Sequence, residues 1–286
     1  MGRIAYVNGS YVPHNEASVH IEDRGYQLGD GVYEVCEINA GALIDEPRHL
    51  ARLKRSLSEL RIATPLAEGA LPIVLREVMR RNRIRDGYIY LQVTRGVARR
   101  EHSFPVPPVR PSLVVTARAV DPAKGAALAA KGITVISQPD IRWKRPDIKT
   151  IGLLPNVLAR QAAKEKGAGE AWLIDTDGMV TEGAASNAWI IDHENVIITR
   201  QIDNGILSGV TRATLLDLIA AEGLRVEERR FSLAEAKAAR EAFITGAISL
   251  VMPVVGIDGT AVGDGRPGPL AQRLRVLFHS VAKRSS

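Results

Sequence analysis

The chain has 286 residues, 45% hydrophobic and 24% charged, with a formal net charge of +6 and a pI near 9.6; that length suits two domains of roughly 100–170 residues, and the composition is that of a soluble globular protein. The positive charge is dispersed, and its densest cluster, REVMRRNRIR at 76–85, reads as the wet face of a helix that buries Val78, Met79 and Ile84. No aromatic interleaving, zinc pattern or basic tail accompanies it, so the charge speaks for a surface that favours anionic small molecules, with no nucleic-acid partner and no metal.

The first predicted elements lie in RIAYVNGSYV, two short β runs joined by Asn8-Gly9, a hairpin signal. The opening MGRIAYVNGSYV has neither the apolar core nor the small-residue cleavage site of a signal peptide. VYEVCEI alternates, turns at NAG and resumes at ALI as a second hairpin. Cys36 within it is the single cysteine, which rules out an intrachain disulfide and fits a reducing cytoplasm. PRHLARLKRSLSELRI sets Leu50, Leu53, Leu57 and Leu60 at helical spacing, and a second amphipathic helix is predicted over 68–83. GYIYLQVTRG and SLVVTARAV are predicted strands. DPAKGAA at 121–127 is the linker candidate and divides the chain into 1–120 and 128–286.

The second part starts with a small-residue helix and the strand ITVIS, and a helix follows over 154–166. EAWLIDTDGMVTEGAASNAWIID reads as strand, Asp177-Gly178 turn and further strand; a helix is predicted over 210–222 and a last one over 268–283. The charge-free AFITGAISLVMPVVGI at 242–257 is shorter than the about 20 apolar residues a membrane span needs. It also carries Gly246, Pro253 and Gly256, so it is predicted as two buried strands, and no membrane partner is expected. Hairpins without a regular βαβ rhythm make this an α/β chain of α+β character and exclude a doubly wound nucleotide fold.

Four places carry candidate chemistry. Lys149, in DIKTIGLLPNVLAR, has no charged residue after it until Arg160, whereas Lys144 lies between Trp143 and Arg145. An amine in apolar surroundings is held back from protonation and becomes a nucleophile toward carbonyls; a lysine snorkelling from a helix start would look the same. In GILSGVTRATLLDLI, Ser208 and Gly209 precede an amphipathic run, so the N–H groups of Val210 and Thr211 would open a helix and form an anion site, or simply an ordinary capped helix. ITGAIS at 244–249 offers further backbone donors near Gly246 and Ala247, or a glycine bulge in a strand. Glu182, amid GMVTEGAASNAWII, has no charged neighbour within four residues and is either a strand-end turn residue or a buried acid that could pair with a pyridine nitrogen.

DIKTIGLLPNVLARQAA, GMVTEGAASNAWII, GILSGVTRATLLDL and RGYQLGDGVYEV stand in the order and spacing of the class IV aminotransferases, the fold-type-IV pyridoxal-phosphate enzymes, and the chain resembles them over residues 4–280. The resemblance implies a small N-terminal α/β domain and a larger C-terminal cofactor-binding domain with a mostly antiparallel or mixed sheet. It implies that Lys149 holds pyridoxal 5′-phosphate and shuttles a proton, that Glu182 partners the pyridine nitrogen, and that Arg52 pairs with the phosphate. Val210, Thr211, Gly246 and Ala247 would complete the phosphate shell; the family often has a hydroxyl where this chain has Ala247, so the contact implied there is the backbone N–H. Leu207 would pack on the ring face, and Ser186 and Asn187 would support the cofactor's edge.

Within the family, Arg100 and His102 before SFP, with Tyr33 in DGVYEV, resemble the carboxylate-binding set of the D-amino-acid transaminases. The implied activity is ping-pong transfer of an amino group from a D-amino acid, such as D-alanine or D-glutamate, to a 2-oxo acid such as 2-oxoglutarate. A cytoplasmic homodimer with its active site at the subunit interface is implied as well. The competing readings are a branched-chain L-amino-acid aminotransferase, an aminodeoxychorismate lyase and, outside enzymes, a basic anion-binding module.

Overall fold

The computed structural model describes residues 2–67 and 69–286; Met1 of the opening stretch and the predicted helix start at Glu68 lie outside the described residues. Contacts divide the chain into two units. The first comprises the residues up to Asp121 together with Ile148–Gly152 and Lys283–Ser286; the second comprises Pro122–Asp147 and Leu153–Ala282. All six tyrosines fall in the first unit and all three tryptophans in the second.

In the first unit the chain forms β1 (Ile4–Val7), β2 (Ser10–Pro13), α1 (Arg24–Leu28), β3 (Gly31–Asn39), β4 (Ala42–Ile44), α2 (Glu46–Glu59), α3 (Ala70–Asn82), β5 (Gly87–Thr94) and β6 (Ser112–Ala119). Asn8 and Gly9 take φ values of 47° and 108°, the left-handed pair that a tight two-residue hairpin requires. The sheet order is β4-β3-β5-β6-β1-β2, extended beyond β4 by a short strand, Arg284–Ser285. Side chains alternate across it: Val32, Cys36 and Ile38 of β3, Ile89, Leu91 and Val93 of β5, and Leu113, Val115 and Ala117 of β6 enter one core with Leu53, Leu57, Leu75 and Val78 of the two long helices. Val78, Met79 and Ile84 are buried, as the reading of the basic 76–85 cluster anticipates.

The helix predicted in PRHLARLKRSLSELRI forms as α2, and its buried side carries Glu46, His49 and Ser56 beside Leu53 and Leu57, while Leu50 and Leu60 are only partly buried. One expectation is corrected here. Residues 121–127 are not a bare linker, since Pro122–Lys131 is helical, and residues 148–152 and 283–286 group with the first unit. The reason is main-chain pairing. Lys149 accepts at its carbonyl from the Tyr33 N–H (3.0 Å), Ile151 donates to Gly31 (3.1 Å), and Ser285 pairs with Leu43.

The second unit contains α4 (Pro122–Lys131), β7 (Ile133–Pro139), α5 (Leu154–Glu165), β8 (Glu170–Ile174), β9 (Val180–Gly183), β10 (Asn187–Ile191), β11 (Ile197–Thr199), α6 (Val210–Ala221), β12 (Val226–Glu228), α7 (Leu233–Ala238), β13 (Glu241–Gly246), β14 (Leu250–Ile257), β15 (Thr260–Ala261) and α8 (Pro269–Val281). Among the described residues they build a nine-stranded sheet ordered β12-β11-β10-β13-β14-β7-β8-β9, with β15 on β14. Most pairs are antiparallel; β7–β8, β14–β7 and β11–β12 are parallel. The helices α5 and α6 thus make two βαβ crossovers, β7-α5-β8 and β11-α6-β12, in a sheet whose other sequential neighbours are mostly hairpins.

Both faces of this sheet are covered, so its central strands carry apolar residues on both sides. In β10, Ala188 and Ile190 join one core while Trp189 and Ile191 join the other; β13 repeats this with Ala242 and Ile244 against Phe243. Leu215, Leu218 and Leu274 close the second core from α6 and α8. Among the described residues no helix is long and apolar enough to cross a membrane.

Candidate active site

Lys149 is half-buried, and the sequence explains only part of its setting. Leu154, in the charge-free run that follows it, is 68% exposed and forms no apolar shell. What meets the amine in its own unit is an aromatic face: Nζ lies 4.2 Å from the centroid of the Tyr33 ring. Its backbone N–H donates to Ser56 Oγ at 3.3 Å, which accounts for a serine on the buried side of α2. Tyr33 in turn stacks on Tyr90 (centroids 5.7 Å apart, planes at 29°), and the Tyr90 hydroxyl donates to Gln92 Oε1 at 2.6 Å. Burial, followed by the nearby Tyr33 phenol, pushes the Tyr90 pKa up to about 12.

One residue along β3 the chain turns inward. Glu34 is 0% exposed and accepts from Arg52 at both oxygens, Nε to Oε1 at 2.7 Å and NH2 to Oε2 at 2.8 Å. His49 Nδ1 lies 2.8 Å from the same Oε2. Burial alone would raise the Glu34 pKa, but the Arg52 charge and the hydrogen bonds from Arg52 and His49 outweigh it and lower the value to about 2. Arg52 is therefore a braced guanidinium on α2 and not a solvated one. Arg100 and His102 are exposed on the connection between β5 and β6.

The second unit carries a separate polar cluster around β9. Glu182 is buried; its Oε1 accepts from Arg142 NH1 and from the Leu207 N–H (3.1 Å), and its Oε2 accepts from Asn187 Nδ2 (3.0 Å). Arg142 also grips Asp140 with two N–H groups (2.9 and 2.7 Å), and Thr181 Oγ1 donates to Asp140 (2.8 Å). Burial opposes the Arg142 charge, but the Asp140 hydrogen bonds and the Glu182 and Asp140 charges outweigh it and raise the Arg142 pKa. Asn187 spans two elements, since its Nδ2 also donates to the Leu207 carbonyl at 3.0 Å.

Gly209 starts α6 with no side-chain cap, and no acidic residue occupies the first turn, where Val210 and Thr211 are buried. A Cβ at Gly209 would sit 2.0 Å from Asn187 Oδ1, so glycine is required by close packing. Gly246 ends β13 and Ala247 follows in the turn to β14, so ITGAIS is a hairpin and not a bulged strand. The Ser186 hydroxyl donates to Glu170 Oε2 at 3.1 Å, and the neighbouring Asn187 reaches Glu182.

Sequence reasoning passed over Glu34, His49 and Arg142. The period-two pattern of VYEVCEI already puts Glu34 on the face of Val32 and Cys36, and His49 is three residues before Arg52 on one side of α2. Arg142, in the basic stretch IRWKR, carries no comparable local signal.

The chain is 42% identical to the D-alanine aminotransferase of Bacillus licheniformis over 273 residues, 96% of this chain and 95% of that one. It is 39% identical to the D-alanine aminotransferase of Staphylococcus haemolyticus over 282 residues, covering 98% and 99%. In fold it matches a T.th. branched-chain amino acid aminotransferase solved with pyridoxamine 5′-phosphate, at a TM-score of 0.89, 27% identity and coverage of 98% and 94%. Residues 31–257 match the family model of amino-transferase class IV, and with relatives this similar along its length the chain belongs to that family.

Proposed function

We propose that this class IV aminotransferase moves the amino group of a D-amino acid, such as D-alanine, to a 2-oxo acid such as 2-oxoglutarate, with pyridoxal 5′-phosphate as cofactor. The observation that carries the reading is the 42% identity to a D-alanine aminotransferase across 96% of the chain. A branched-chain L-specific reading draws support from the fold neighbours alone, at 27% identity.

The residues present suit the cofactor. An uncapped helix start without acidic residues suits a phosphate, a buried ion-paired carboxylate suits a ring N–H, and a half-buried lysine supplies the amine. When bound, pyridoxal phosphate supplies an aldehyde that condenses with amines and a ring that takes up the electron pair released at the substrate Cα. In the proposed roles, Lys149 carries the aldehyde-binding amine, takes the proton from Cα and returns it to C4′. Glu182, fixed by Arg142, Asn187 and the Leu207 N–H, sets a negative charge for the ring nitrogen. Arg52, braced by Glu34, and the N–H groups of Val210, Thr211, Gly246 and Ala247 hold the phosphate. Leu207 packs on the ring. Tyr33, Arg100 and His102 hold the substrate carboxylate, and the enzyme works as a cytoplasmic homodimer.

The test is a substrate panel on the purified protein. D-alanine with 2-oxoglutarate should yield pyruvate, and borohydride should fix the cofactor on the peptide that contains Lys149. Turnover of L-leucine with none of D-alanine would overturn the substrate assignment. A protein that stays colourless with added pyridoxal phosphate would overturn the cofactor.

A further inference from the structure

We infer that Arg24, Asp30, Arg95 and Phe104 form a positioning frame that holds the Arg100–His102 segment in shape to grip the substrate carboxylate; the inference rests on the carboxylate-binding reading given above. Arg24 and Arg95 are only 2% and 7% exposed, and buried guanidinium groups persist only where they are paired. Asp30 pairs with both. Its carboxylate accepts from Arg24 Nε (2.8 Å), Arg95 Nε (2.7 Å) and Arg95 NH2 (3.0 Å). Burial works against the Asp30 charge, but the Arg95 and Arg24 hydrogen bonds win and hold its pKa below the ordinary value.

The remaining donors of the two arginines point to the connection between β5 and β6 and to its support. Arg24 NH1 donates to the carbonyl of Glu101 at 2.6 Å, the residue between Arg100 and His102. Arg95 NH2 and NH1 donate to the Leu60 and Arg61 carbonyls (2.8 and 3.0 Å), which ties the frame to the end of α2. The Arg95 guanidinium lies 3.7 Å from the centroid of Phe104, and that of Arg61 lies 4.8 Å from it, so this half-exposed ring rests among cations. The main chain adds Arg24 N–H to the Gly96 carbonyl (2.9 Å) and Ala98 N–H to the Glu22 carbonyl (3.3 Å). An exposed tripeptide is thus clamped at its middle carbonyl and again two residues on. A clamped donor pair binds a carboxylate without first giving up the freedom of a loose loop, which favours binding without entering the proton transfer.

The test compares Asp30→Asn and Phe104→Leu with Arg100→Gln in the loaded enzyme. Asp30→Asn should raise KM for D-alanine and for 2-oxoglutarate about tenfold, equal to ~1.4 kcal/mol of binding, with kcat changed less than about twofold. Phe104→Leu should raise both KM values several-fold, and Phe104→Tyr should restore them. Limited trypsin digestion, which needs no turnover, should cut after Arg99 and Arg100 several times faster in Asp30→Asn and Phe104→Leu than in the native protein. If Arg100→Gln raises KM while Phe104→Leu leaves KM and digestion unchanged, the frame is overturned and the carboxylate reading stands. If Arg100→Gln leaves KM unchanged, the carboxylate reading itself falls and the frame with it. Should Asp30→Asn fail to fold, the exposed Phe104 variants decide.

Discussion

Replacing Glu34 by glutamine removes one charge and little volume from the centre of the first unit. The carboxylate is fully buried and shared by Arg52 and His49, so the variant leaves the Arg52 guanidinium facing an amide. A carboxyl whose pKa falls to about 2 on folding, from an unfolded value near 4.3, contributes roughly 3 kcal/mol at neutral pH. Breaking a buried ion pair by removing one partner costs about 3–5 kcal/mol, in agreement. Because the folded pKa is the depressed one, this stability is fully present above the unfolded value. It is lost as pH falls from there toward about 2, with ~1.4 kcal/mol left near pH 3. The assay is urea unfolding of native and Glu34→Gln protein between pH 7 and pH 3, followed by tyrosine absorbance for the first unit and tryptophan emission for the second. The tyrosine-reported difference should be about 3 kcal/mol at pH 7 and shrink steadily below pH 4.5. A difference under ~1 kcal/mol at pH 7, or one that does not change with pH, would refute the assignment of Glu34 as a charged brace.

Gly209→Ala should weaken pyridoxal phosphate binding at least about tenfold in a spectroscopic titration, because its methyl group would have to displace the Asn187 amide that orients Glu182. Arg142→Gln should lower the tryptophan-reported stability of the second unit by about 3 kcal/mol, since it leaves the buried Glu182 carboxylate and the adjacent Asp140 without their shared cation; an unchanged urea midpoint would contradict this.

The fold was legible wherever a local signal and the tertiary arrangement agreed. Asn8-Gly9 made its hairpin, and the buried strands of 242–257 came from an apolar run that only a sheet covered on both faces could use. The helix α7 had a signal that went unread: Ser232 caps it by accepting from the Glu235 N–H at 3.0 Å, with a glutamate at the third position of the first turn. Glu182 stood out because no charged residue lies within four positions of it, and Lys149 because none follows it until Arg160. Arg142, Glu34 and Asp30 did not, because the fold brings in partners that lie well away along the chain. Arg142 meets Glu182 across 40 positions, and Asp30 meets Arg95 across 65. Burial of a charge depends on such long-range contacts, and only for Glu34 does the local alternation of VYEVCEI point to it. The apolar run after Lys149 does not supply the surroundings of its amine, since Leu154 faces solvent and Nζ lies over the Tyr33 ring.

The chain passes between its two units four times, and residues 148–152 are a short internal visit to the first. They carry Lys149 into that unit, set it beside β3 through the bonds to Tyr33 and Gly31, and leave again. Neither unit is therefore a contiguous piece of polypeptide that could be cut out and expressed intact. A fragment ending at Asp121 would keep Tyr33, Arg52 and the Arg100–His102 connection but would lack the segment that presents the lysine. Permuted or split versions of this enzyme have to keep the 148–152 excursion joined to the flanking elements of the second unit, and folding must bring those residues back to β3 after a detour through other structure.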